Sequence, residues 1–84
     1  MVIEAFFRTA TDARYAIRAL NREGVEVVGP GPIPVPPNNG RPWRVDVQVE
    51  TGAMAERYTK PVLLNLVTGI VTKHNGITEQ VDRV

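Results

Sequence analysis

Trp43-Arg44-Val45-Asp46-Val47-Gln48-Val49-Glu50 is the stretch on which the fold turns. Its apolar and polar residues alternate without a break, the two-residue period of a strand with one face in a core and the other in water. Val45, Val47 and Val49 are expected to point inward, with Arg44, Asp46, Gln48 and Glu50 outward. A strand of this kind belongs to an antiparallel sheet covered on one side. The rest of the chain must therefore supply the cover.

Toward the N-terminus, residues 2–8 alternate in the same way, with Ile3, Ala5 and Phe7 on one face and Glu4, Phe6 and Arg8 on the other. Thr9 offers a helix N-cap with Asp12 three residues later, a capping-box spacing. Ala13, Ala16, Ile17 and Leu20 then form an apolar stripe at helical spacing. Gly24 falls where a left-handed C′ residue belongs, and Val25-Glu26-Val27-Val28 reads as a short strand.

Toward the C-terminus the plan recurs. Thr51 is the equivalent N-cap, a helical stretch is expected from about Ala53 to Asn75, and Gly76 takes the C′ position. Pro61 either kinks that helix or opens a new one at its first position. Residues Ile77 to Val84 close the chain as a strand. A rival reading makes Ile70–Lys73 and Ile77–Val81 a hairpin about Asn75-Gly76. The helix is preferred because the apolar run from Val62 follows Pro61 as a helix start does.

Arg22-Glu23-Gly24-Val25 matches His74-Asn75-Gly76-Ile77, and Ala13-Arg14-Tyr15 matches Glu56-Arg57-Tyr58, as in a tandem strand–helix–strand duplication. The expected fold is α+β: a ferredoxin-like βαββαβ unit, with a four-stranded antiparallel sheet and two helices on one face. A single domain covers residues 1–84, in two halves of about 1–28 and 43–84. Between them lies a Pro/Gly-rich loop, 29–42, with six prolines in fourteen residues. Its backbone is expected in polyproline II, with few amides to offer a sheet.

The order of elements, with Arg44-Val45-x-Val47 opening the second half, resembles the sporulation-related peptidoglycan-binding repeat. The likeness is to pattern, and the proline loop, the longer second helix, the extra last strand and the lack of a secretory segment depart from it. No binding residues carry over.

An 84-residue chain with 43% hydrophobic and 23% charged residues has the composition of one ordinary globule. With no cysteine and one histidine, it lacks the disulfides and zinc clusters that steady many small domains. Oligomerisation is the remaining common route, which points to a homo-oligomer. The N-terminus has neither the charged nor the long apolar region of a signal peptide, and no apolar run is long enough to span a bilayer. A cytoplasmic address without membrane contact follows as the expectation.

No catalytic constellation is legible. His74, the only histidine, is expected at a helix end, where a cation favours the dipole. No carboxylate pair, metal-ligand spacing, phosphate loop or dinucleotide fingerprint stands out. No catalytic residue, metal or cofactor is assigned, and the chain is read as non-catalytic.

Binding features are clearer. Arg14, Arg18 and Arg22 recur at helical spacing with Tyr15 between them, on the side away from the apolar stripe. Like charges so placed would be relieved by an acidic protein partner; a solvated face is the bland alternative. Nucleic acid is the runner-up ligand, bound by the same stripe with Arg41 and Arg44. The run Val62–Val71 is more apolar than one core stripe needs. With Leu63, Leu66, Val67 and Ile70 assigned to the core, Val62, Leu64 and Val71 are left over. Ile33, Val35, Trp43, Val62 and Leu64 are the expected self-association residues. A third reading makes the chain half of a dimeric α+β-barrel enzyme acting on a small organic substrate.

Overall fold

The computed structural model describes residues 2–38, 40–49 and 59–81. Their order is β1 (Val2–Phe7), α1 (Ala10–Arg22), β2 (Glu26–Asn38), β3 (Arg41–Gln48), α2 (Lys60–Lys73) and β4 (Ile77–Val81). Among these residues the strands form one antiparallel sheet in the order β2-β3-β1-β4. The α+β architecture expected from the sequence, an antiparallel sheet with two helices, is the one observed.

The sheet's two faces follow from the alternation. Ile3, Ala5 and Phe7 are buried together with Val45, Val47 and Val49. Ile3 stands opposite Val47 and Ala5 opposite Val45, so these side chains share a face. Against that face lie Ala13, Ala16 and Leu20 of α1 and Leu63, Val67 and Val71 of α2. Both helices thus cover the same side. On α2 the buried residues recur at four-residue intervals, which corrects the sequence reading. Val71 is core, whereas Leu66 and Ile70 are only partly buried against it.

The long helix expected from Ala53 is observed as α2 from Lys60, with Pro61 in its first turn. Proline has no amide to donate there and its φ is already helical. Thr51 and the stretch 53–58 lie outside the described residues. The hairpin alternative is excluded, because Ile70–Lys73 belong to the helix. On α1, Thr9 caps as expected: its hydroxyl oxygen accepts the Asp12 amide at 3.1 Å.

The two helices end in the same turn, but displaced by one residue from the sequence match. In α1 the Val25 amide donates to Leu20 O at 2.9 Å, and Gly24 donates to Asn21 O. In α2 the equivalent donors are Gly76, to Val71 O at 2.9 Å, and Asn75, to Thr72 O. These are two Schellman motifs. The left-handed residue is Gly24 (φ 80°) in the first and Asn75 (φ 64°) in the second, so Asn75, not Gly76, holds the C′ position. Gly76 is glycine for a different reason. A Cβ there would lie 2.6 Å from Val71 Cγ1 and 2.7 Å from Phe7 Cε1.

The largest departure is the proline segment, expected as a loop. Most of it is strand: β2 runs from Glu26 to Asn38 and β3 starts at Arg41. Glu26–Val28 pair with Asp46–Gln48, while Ile33 and Pro34 pair with Arg44 and Trp43 after a register shift. The prolines are tolerated because β2 lies at the sheet edge. Pro34 cannot exchange two amide bonds with Trp43, so theirs is the non-hydrogen-bonded kind of pair, and Ile33 turns its amide toward β3. The nitrogen of Pro34 then faces the free edge. An edge missing a donor there is a poorer template for another strand.

Gly76→Ala is expected to destabilise the fold by about 1–3 kcal/mol through overpacking against Val71 and Phe7. Asn75→Gly should be neutral or stabilising by up to about 1 kcal/mol, since it removes a side chain from a left-handed residue. Urea denaturation of both variants checks the pair. Equal effects would contradict the one-residue displacement.

Candidate functional site

Two chemically different surfaces flank the core. On the sheet face away from the helices, Glu79, Glu4 and Asp46 stand directly opposite one another across β4, β1 and β3. Like charges at such positions repel. Arg44, one pairing row away, compensates: its Nη1 lies 3.7 Å from Glu4 Oε2 and its Nε 3.2 Å from Asp46 Oδ1. The Nε–Oδ1 approach lacks hydrogen-bond geometry and leaves both atoms buried, so its attraction is electrostatic. Phe6 lies beside Arg44 on this face and is only 7% exposed.

Arg41 is engaged as well. Its Nε donates to the carbonyl of Asn75 at 3.2 Å, tying the start of β3 to the turn after α2. The two arginines expected to assist the α1 stripe with nucleic acid thus have other partners, and Arg44 lies on the far side of the sheet from α1.

The surface of α1 is the opposite case. Ala13, Ala16 and Leu20 are its buried residues, and its arginines and tyrosine project outward. Arg14, Arg18 and Arg22 are all exposed, as is Tyr15 at 53%. The guanidinium carbon of Arg18 lies 5.7 Å from the centre of the Tyr15 ring, within cation–π range. Among the described residues none of the three arginines is paired with a carboxylate. The stripe inferred from helical period is thus a real surface ridge.

Sequence reasoning missed what flanks that ridge. On one side a cleft of about 420 Å³ opens between α1 and β2, with Arg14 and Arg18 facing Gly29 and Gly31. On the other, a cleft of about 400 Å³ between α1 and α2 is bordered by Arg18, Arg22, Lys73 and His74, with Glu23 the one carboxylate. His74 is the C-cap of α2. Neither cleft could be read from the sequence, since each depends on how helices and strands pack.

The five residues expected to mediate self-association do not form one patch. Trp43 and Leu64 pack partly against the core cluster. Ile33 pairs with Arg44, so it lies on the sheet face away from the helices, and Val35 in β2 is half-buried. Val62 is exposed at 47% on α2. Among the described residues no three His, Asp or Glu side chains converge to hold a metal ion, and no helix is long and apolar enough to cross a membrane.

Compared with protein-family models, curated proteins and solved structures, the chain matches none. Its function must therefore be argued from its own surfaces.

Arg44→Ala should cost about 1–3 kcal/mol, between the small worth of an exposed pair and the larger loss from a buried one. Adding Asp46→Asn to that variant should recover part of the loss by removing one of the stranded carboxylates. Denaturant midpoints of the single and double variants check this; an additional loss in the double variant would contradict the compensating role of Arg44.

Proposed function

We propose that this chain is a small non-catalytic binding module whose α1 ridge docks an acidic segment of a protein partner. The observation that carries the reading is the charge imbalance between the two surfaces. Arg44 is balanced by Glu4 and Asp46, whereas Arg14, Arg18 and Arg22 form no ion pair with a carboxylate among the described residues. Three like charges one turn apart cost a little in isolation. A partner carboxylate converts that cost into charge-assisted, fork-shaped hydrogen bonds.

An acidic protein is favoured over nucleic acid because Arg41 and Arg44, which would extend a phosphate-binding track, are engaged elsewhere. The sheet order and the two helices on one face support reading the fold as ferredoxin-like, with β2 counted as one long edge strand. A homo-oligomer in the cytoplasm completes the proposal. Its supports are the short chain, the exposed Val62 and the cysteine-free composition. Light scattering reads the oligomeric state directly.

Fluorescence anisotropy with a labelled poly-glutamate decamer and a poly-dT strand of equal length tests the ligand class. The peptide is expected to bind at low ionic strength, and Arg14→Glu with Arg18→Glu to weaken it by about tenfold or more. Tighter binding of the DNA would favour the nucleic-acid reading. Binding of neither would contradict the proposal.

A further inference from the structure

The cleft between α1 and β2 has features that the ridge alone does not explain. The register shift between Val28 and Ile33 leaves residues 29–32 without partners on β3, so the edge strand bulges beside α1. Within the bulge only Gly29 and Gly31 have amides, because positions 30 and 32 are proline. Both glycines have positive φ, at 87° and 140°, where a side chain would be strained. Neither would meet any neighbouring atom if given a Cβ, so nothing in the packing requires them to be bare. Their consequence is an exposed backbone at the mouth of the cleft, open to close approach.

Arg14, Arg18 and Asn21 line the opposite wall of the cleft. Ile17 and Val27, partly buried against the core, supply its apolar part. Cations and a polar amide on one wall and bare backbone on the other are what a planar oxyanion needs, with an apolar patch for the carbon stem behind it. Strand addition along this edge is opposed by the missing donor at Pro34 and by the bulge before Ile33, so a partner segment is directed to the cleft rather than to the ladder.

We infer that this cleft is a carboxylate subsite: it receives one acidic side chain of the partner, held by Arg14 and Arg18 on one side and the Gly29–Gly31 backbone on the other. The inference rests on the reading of α1 as the surface for an acidic partner and adds where the partner is gripped. Arg22, Lys73 and His74, bordering the second cleft, then provide general attraction and not the specific seat.

The test is an amide and arginine Nε NMR titration of the full chain with the poly-glutamate decamer, and separately with inorganic phosphate. The Gly29 and Gly31 amides should shift with the Arg14 and Arg18 Nε signals along one saturating curve. Asn21→Trp, which changes an exposed helix residue and fills the cleft without altering charge, should weaken the peptide about tenfold. Shifts confined to Arg22, Lys73 and His74 would overturn the subsite while leaving the acidic-partner reading intact. So would unchanged affinity in the folded Asn21→Trp protein. Should that variant not fold, the wild-type titration decides alone. Glycine shifts with phosphate but not with the peptide would overturn the carboxylate assignment. Absence of any peptide binding would remove the subsite and the reading beneath it together.

Discussion

The close approach of Phe7 to Gly76 is the constraint on which the rest of the structure depends. Phe7 ends β1, the strand flanked by β3 and β4, and is fully buried. Its ring lies where any side chain on residue 76 would have to go. That bare position lets the turn after α2 sit down on the sheet, and it passes the left-handed conformation to Asn75. The carbonyl of Asn75 in turn accepts the Arg41 side chain at the start of β3. One corner thus joins the end of β1, the α2–β4 turn and the β2–β3 hairpin.

From that corner the division of surfaces follows. The face of the sheet turned toward the helices is filled by Phe7 and by small and branched apolar side chains, and α1 packs on it through Ala13, Ala16 and Leu20. The long side chains of α1 on the other side are arginines and a tyrosine. The opposite face meets its own needs, with Arg44 offsetting the carboxylates that strand pairing forces together. The β2 edge is poor in donors. Among the described residues, the α1 ridge and its flanking clefts gather three arginines that form no ion pair with a carboxylate.

Much of this was legible in the sequence, and the exceptions have physical causes. The alternation of Val45, Val47 and Val49, the Thr9 cap and the α1 stripe are local patterns, and each is found in place. The proline segment misled because polyproline II and β strand share one broad region of backbone space. What separates them is a neighbouring strand, and at an edge the missing amides cost nothing; the Pro-x-Pro-x-Pro spacing from Pro32 was the signal available. The second helix end misled because asparagine can take the left-handed position that glycine usually fills. Val71 is core although the sequence points elsewhere, because an apolar run carries little information about which of its faces is buried. The arginines of the site were visible from their spacing. The clefts were not, since the Gly29–Pro32 bulge exists only through the register shift against β3.

If α1 is the binding surface, the attraction it exerts must be electrostatic and must come chiefly from its three arginines. The most direct measurement is the dependence of poly-glutamate affinity on salt concentration for the native chain and for a variant carrying Arg14→Gln, Arg18→Gln and Arg22→Gln. Screening should weaken the native interaction steeply, and the variant should bind feebly with little dependence on salt. A variant that keeps both the affinity and the steep dependence would show that the charge responsible lies elsewhere, and would contradict the account.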